Sequence, residues 1–509
     1  MGSNPGATLS ASEARHLVRR TGFGADEKTV KAILHSHGTR GAAANYLLKF
    51  KPAKFKPKGT GDNTQALCDI HNSWIRYMLT VKHPLQEKLV LFWHDHFATG
   101  FDKVKNATLM AKQNLLFRQN CKGNFKDLVK AANKDTAMMI FLDTAQNRKR
   151  QPNENYAREL QELFTLGVTD LAGNPNYTQD DIVQIARGFT GWTVHNDTGA
   201  VSFNSSQHDY IKDFKDRGAK VIYKSMGGFG ATGYDFTQPA GEGALEIDQV
   251  IDGIFEHRDT DGKRTVARYI AGKLLTYFSQ PGLKRPVDPA LAPVIDTVVA
   301  ESQFDTKWII SDLLRAIFVN DAFYDTAAPA PFGATTKKSV KWPVDYVVGT
   351  LRLLGMKLKG VDQKIDFHPE KDSWIITYLN AMGQIVFVPP SVFGWDWDTA
   401  WLSSTTLLAR YNFAIDVVSA RGTGSTSFRP DKMIKGILKL SDAGAIVDAV
   451  TDALGATDQF TSAERDAFIN YLSDGTPGAA IDLRDKTVRN TKLNGLFALV
   501  LQSPAYQLH

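Results

Sequence analysis

The sequence predicts a mostly α-helical protein: a large multi-helix bundle of one or two packed lobes, with a small β/loop insertion around residues 193–240. Three observations carry this. Apolar residues recur at helical spacing behind capping residues along most of the chain. Runs that alternate like strands are short and confined to one stretch. No internal repeat is evident. At 509 residues and 43% hydrophobic, the chain has apolar material for more than one ordinary core, so two closely packed lobes or one large one are expected.

Taken in order, Ser10-Ala-Ser-Glu13 is a capping box, and the helix it opens stops near Gly22 and Gly24. Helices follow at 26–35, 40–49, 64–80, 84–97, 107–120, 125–132 and 136–143. The stretch 84–97 begins at Pro84 and is apolar nearly all round, which predicts burial. Thr178-Gln-Asp-Asp181 caps a further helix with Ile182, Val183, Ala186 and Phe189 inward, closing an N-terminal helical lobe over 8–192. The insertion 193–240 holds short β-like runs at Thr193-Val, Val201-Ser-Phe and Lys220-Val-Ile-Tyr between Gly, Asn and Asp. Helices return near 243–257, 263–279, 289–303, 306–319 and 340–354, and form a C-terminal lobe over 241–507. Residues 325–339 read as a linker, 371–418 as helices around a Pro- and Trp-rich loop, and 430–507 as helices with a turn at 474–480.

The richest segment is Pro152-Asn-Glu-Asn-Tyr-Ala-Arg-Glu-Leu-Gln-Glu-Leu-Phe-Thr-Leu-Gly167. As a helix it has Pro152 at its start, where the missing N–H costs nothing, and Gly167 just past its end. Tyr156, Leu160, Leu163 and Phe164 share the core face, and Asn155, Glu159 and Glu162 form a stripe beside it. Glu154 and Arg158 point outward, where an i,i+4 ion pair suits them. Glu159 borders the core, and a buried carboxylate requires a partner or a proton.

Several segments together resemble the bacterial DUF1800 family: Ala14-Arg-His-Leu-Val-Arg-Arg-Thr-Gly-Phe-Gly24, Lys88-Leu-Val-Leu-Phe-Trp-His-Asp-His-Phe97, Asn153 to Gly167, and Ala186-Arg-Gly-Phe-Thr-Gly-Trp192. Val340-Lys-Trp-Pro-Val-Asp-Tyr-Val-Val348, Pro389 to Trp395, and Thr405-Leu-Leu-Ala-Arg-Tyr-Asn-Phe413 continue the match. They come in the family's order and span nearly the whole chain. The resemblance implies export in many members and leaves the chemistry open. It also matches Gln207-His-Asp-Tyr210, followed by Lys220 or Lys224 and Gly227-Gly228, to a His-Asp pair ahead of a Lys and glycines.

Composition excludes several classes. A net charge of +6 is small for a chain this long and does not argue for nucleic-acid binding, so no nucleic-acid partner is expected. No window reaches the ~18 apolar residues of a membrane span. With only Cys68 and Cys121 and no CxxC or Cys/His cluster, no structural zinc site is expected, while one bridge or two buried thiols both remain open. The opening Met1-Gly-Ser-Asn-Pro-Gly-Ala has no apolar segment of a signal peptide; it reads as an addition ahead of a mature, secreted or periplasmic protein. Gly228-Phe-Gly-Ala-Thr-Gly233 formally fits GxGxxG, but no helix opens after it, so no nucleotide cofactor is expected.

The candidate site therefore rests on carboxylates, histidines and indoles. Glu159 and Glu162 are the expected carboxylate pair, with His94 and His208 as acid/base groups and Arg158 to orient a carboxylate or hold an anion. His94 and His96 lie well over ~90° apart on a helix, so the pair cannot share a metal as it would on a strand. His96, Glu154 and Asp209 are the candidate ligands for a divalent ion such as Ca²⁺, Mg²⁺ or Mn²⁺. Trp192, Trp395 and Trp397 would line a cleft and stack on sugar rings. The leading expectation is an exported hydrolase or other modifying enzyme acting on an extracellular polysaccharide. Its first rival is a non-catalytic binding or assembly protein working with an exported partner, whose Glu/Arg/His set is a structural polar network. A metal-dependent oxidoreductase is the third reading.

Overall fold

A computed structural model describes the chain except residues 1, 54, 58–59, 63, 196–197, 214–216, 280–286, 326–338, 357–373, 420–427 and 477. The expected linker at 325–339 therefore lies almost wholly outside the described residues. The described chain is mostly α-helical, from Ala11–Thr21 to Pro504–Gln507. Two small antiparallel pairs interrupt it, Trp192–Val194 with Val201–Phe203 and Val221–Ile222 with Tyr234–Asp235. Three of these four strands fall on the β-like runs of the sequence; Tyr234–Asp235 lies outside them.

Local signals explain the helix ends. The Ser10 hydroxyl accepts from Glu13 N while the Glu13 carboxylate accepts from Ser10 N. Thr178 and Asp181 repeat the arrangement. The expected single helix at 306–319 is broken: Phe304–Lys307 ends at Trp308, whose φ of +59° is left-handed, before Ile310–Val319 begins. The Trp308 indole packs edge-on against Phe255 and Phe304, and that anchoring fixes the break.

Helix Pro84–His96 runs through the centre, every residue from Leu85 to His96 being buried. A helix so placed must satisfy each polar side chain inside the protein. Glu87 accepts from the Trp74 indole at 2.8 Å and pairs with Arg118. The Lys88 ammonium donates to Asp345 at 2.6 Å beneath the Tyr277 ring. His509 also meets Asp345, at 3.2 Å. Against the cost of burial, Lys88 and His509 hold the Asp345 carboxyl well below the usual carboxylate range.

Around this helix one continuous apolar cluster gathers side chains from Leu9 to Tyr506. Helix Arg40–Leu48 packs on Ile310–Val319, and Thr64–Thr80 on Pro343–Leu353, so distant parts of the chain share that core. Cys68 and Cys121 are buried thiols with no disulfide between them, which settles the open alternative in favour of two thiols. Burial and the nearby Glu87 charge push the Cys121 thiol up to about 12.

Candidate functional site

The Pro152–Gly167 segment is not one regular helix. Asn155–Glu159 is α-helical and passes directly into a π-helical turn, Leu160–Thr165. The Thr165 hydroxyl donates to Leu160 O, five residues back, at 2.5 Å, which suits the wider turn. Leu166 N and Gly167 N both return to Gln161 O. The carbonyls of the next residues then need donors from elsewhere. Tyr269 OH donates to Glu162 O and Leu163 O at 3.3 and 3.0 Å, and His96 Nε2 donates to Phe164 O at 3.1 Å. Gly167 closes the turn with φ +78°, and a Cβ there would lie 2.9 Å from the Tyr269 ring. Side chains of helices Pro84–His96 and Thr265–Phe278 are thus locked onto this turn.

These bonds fix the histidine's tautomer. A carbonyl can only accept, so His96 carries its proton on Nε2, and its Nδ1 lone pair accepts from Lys273 Nζ at 2.9 Å. Burial among Phe92, Trp93, Phe97 and Phe164, reinforced by the Lys273 charge, holds the His96 pKa well below the usual 6.5. His96 is a neutral acceptor that aims Lys273.

Lys273 faces a cleft of about 350 Å³. Its polar groups are His96, Glu162, Lys273 and Asp396; its aromatic groups are Tyr269, Phe393 and Trp397; Leu163, Val168 and Val392 complete the lining. The volume lies at the lower end of the ~300–1,000 Å³ typical of small-molecule sites. Glu162 accepts from Tyr177 OH at 3.1 Å. Phe393 is 64% exposed, unusual for a phenyl group, and stands at the cleft. The Trp397 indole N–H donates to Asp95 Oδ2 at 3.1 Å, and Trp395 N donates to Asp95 Oδ1 at 2.7 Å. Between them Gly394 has φ +79°, and a Cβ there would collide with Asp95 Oδ1.

Of the residues expected from sequence, Glu162, His96 and Trp397 meet in this cleft. Glu159 stands next to Glu162 but does not line it; it is buried, and its Oε2 has no hydrogen-bond partner among the described residues. Burial first, and then the Glu162 charge, push its pKa up to about 7 against the pull of Arg158. Arg158 and Glu154 form a surface pair at 3.3 Å, with Gln179 bonded to both.

The other residues lie in separate networks. His94 Nε2 accepts from Phe387 N at 2.8 Å, its ring wedged between Trp74 and Trp395, and burial pushes its pKa down to about 3. Trp395 is buried against it. His208 Nδ1 donates to Thr190 O at 2.8 Å, while Nε2 faces Lys220 Nζ and Glu246 Oε2 at 3.3 and 3.2 Å. None of those three side chains has any exposed surface. Asp209 is held by Arg187 at 3.3 Å and Arg217 at 2.6 Å. Trp192 sits on the first strand pair beside Phe203, with the Lys134 ammonium 5.7 Å from its ring. His96, Glu154 and Asp209 therefore share no common point. Among the described residues no group of three or more His, Cys, Asp or Glu is arranged to hold a metal ion.

Sequence reasoning passed over Tyr269 and Lys273, and took Asp396 only as one of two carboxylates beside the indoles of Phe393–Trp401. Lys273 had one signal, a cation inside the apolar run 269–278 and four residues after a tyrosine. Asp396 lies inside the Trp-rich loop, where the indoles drew attention first.

A family model described as "Protein of unknown function (DUF1800)" matches residues 16–508, nearly the whole chain. Comparison with curated proteins and with solved structures finds no match.

Proposed function

The chain belongs to the DUF1800 family, whose description assigns no activity, so we propose a function from the cleft itself: it binds a sugar polymer and hydrolyses it, with Glu162 at the reacting bond. One observation carries this reading. A single open cleft joins two carboxylates, Glu162 and Asp396, to the aromatic side chains Phe393 and Trp397. Flat aromatic faces stack on the C–H faces of sugar rings, and glycoside hydrolysis requires a pair of carboxyl groups beside the bond that breaks. One gives its proton to the leaving oxygen; the other activates water or attacks the sugar carbon.

The Tyr177 hydroxyl donates to Glu162 and fixes the direction of its carboxyl group, which suits the base or nucleophile. Asp396 is the second carboxyl. Lys273, aimed by His96, supplies N–H donors to sugar hydroxyls. Glu159 acts on Glu162 through charge: as it loses its proton near pH 7, a second negative charge appears beside the first. Such a polymer lies outside the cell, and export is supported by the resemblance to a family many of whose members are exported. Among the described residues no helix is long and apolar enough to cross a membrane.

A second reading, binding without catalysis, is favoured by a specific observation: His94, His208 and Asp209 all sit in closed networks, and both ring nitrogens of His96 are engaged. Reducing-end release from cellulose, chitin and pectin fragments, measured with calorimetric binding, separates the two. The hydrolase reading expects turnover that Glu162→Gln abolishes while binding stays within about threefold, and binding that Trp397→Ala weakens by about tenfold or more. Binding without turnover in the wild type supports the second reading. No binding by any fragment refutes both.

A further inference from the structure

We infer that the ligand continues from this cleft into a second cavity, so that the site takes a chain of several sugar rings rich in hydroxyl or amino groups and rejects an acidic chain; this rests on the glycan reading above. The second cavity, about 360 Å³, shares Val168 and Tyr269 with the first. Tyr269 cannot swing aside to seal the junction, because its hydroxyl is tied to Glu162 O and Leu163 O. Val168 is half exposed at the same junction. Each cavity alone is at the bottom of the size range for small ligands, whereas the two end to end suit an oligomer.

The charge character comes from counting donors. Arg268 lines the second cavity, but all five of its N–H groups are taken. Nε donates to Asp296, Nη1 to Asp259 and Asp261, and Nη2 to Asp261 and Asp296, at 2.6–3.0 Å. The guanidinium has no donor left for an anion. Asp170, on the same wall, is kept ionised against the cost of burial by hydrogen bonds from Asn174 and Ala172. Among the described residues this cavity therefore offers an anion no guanidinium donor and sets the Asp170 charge against it, which favours a chain bearing hydroxyl or ammonium groups over an acidic one.

The test is calorimetric titration of the full chain with cello- and chito-oligosaccharides of two to six rings, and with oligogalacturonates of matching length. Affinity is expected to rise by about tenfold or more from the shortest to the longest neutral or amino-bearing chain, with the acidic series at least about tenfold weaker. Thr169 lines the second cavity at an exposed position, so Thr169→Trp is expected to fill that space and remove the rise while sparing the shortest ligand. A length-independent affinity that Trp397→Ala still weakens overturns this inference and leaves the glycan reading standing. A rise that survives Thr169→Trp in a variant with the wild-type circular dichroism spectrum, or equal binding of oligogalacturonate, also overturns it. No binding by any of the three series refutes the inference together with the reading it rests on.

Discussion

Replacing Glu159 with glutamine is expected to stabilise the fold at and above neutral pH and to do little near pH 4.5. In the folded state the carboxyl titrates at about 7 against an ordinary value of 4.5, because it is buried beside the Glu162 charge. Between those values the folded protein holds a proton that the unfolded chain has released. Stability is therefore lost as pH rises from about 4.5 to about 7, and the loss is complete above that. At full weight the displacement corresponds to about 3 kcal/mol; solvent screening of a group at the edge of the core reduces this to roughly 1–2 kcal/mol. Glutamine has the shape of the protonated acid and cannot ionise, so the variant escapes the loss.

Other groups titrate in the same range. Asp135, pushed up to about 6 by burial, acts with the same sign. His257 and His94, pushed down to about 4 and about 3, act with the opposite sign, since each must gain a proton on unfolding below the ordinary histidine value. The readout is therefore the difference between variant and wild type, not either curve alone. Urea denaturation at pH 4.5, 6, 7 and 8 gives that difference. A gap that grows from near zero to about 1–2 kcal/mol bears the reasoning out. A constant gap, or one that shrinks with pH, refutes it.

The buried networks give three further expected outcomes. Glu246→Ala leaves Lys220 buried without its carboxylate and should cost about 3–5 kcal/mol in chemical denaturation, whereas a loss below about 1 kcal/mol would show that water replaces the pair. Gly394→Ala should cost roughly 1–3 kcal/mol, because its φ is +79° and the new methyl would displace Asp95; the Trp397 indole N–H signal in NMR should shift with it, and an unchanged signal would contradict the tether. Cys68 and Cys121 should resist a water-soluble thiol reagent until the protein is unfolded and then react together, whereas reaction of either in the native state would contradict their burial.

Much of the architecture was legible because it depends on local rules. The Ser10 and Thr178 capping boxes, Pro84 at a helix start, Gly167 at a helix end and the short β-like runs all act over a few residues. Burial of helix Pro84–His96 was equally readable, since an apolar surface all round leaves no face for water. The site was half legible. A regular 3.6-residue period places Glu159 nearest the core, and the structure agrees, but the π turn from Leu160 shifts the register and brings Glu162 to the cleft with the Tyr269-bonded carbonyls. No residue type announces a π turn; it is held by partners more than sixty residues away in sequence. The same distance hid Lys273, whose role depends on His96, 177 residues earlier. His94, His96 and His208 look alike in sequence, and only the carbonyls, amides and ions around each ring separate them.

The pairing of His94 and Asp95 with the loop from Phe387 to Trp397 has a consequence for the energetics of recognition. Two adjacent side chains on a buried helix hold the loop at both ends, through Phe387 N at one and through Trp395 N and the Trp397 indole at the other. The indole proposed to meet the ligand is thus set in place before any ligand arrives. Ordering a side chain on binding costs about 0.5–1.5 kcal/mol, and this wall avoids that cost for Trp397. The loop behaves as scaffold, not as a lid. Free and ligand-bound forms should superpose along it, and selectivity should come from the fixed spacing between the Trp397 ring and Glu162, which an ill-fitting chain cannot make the protein change.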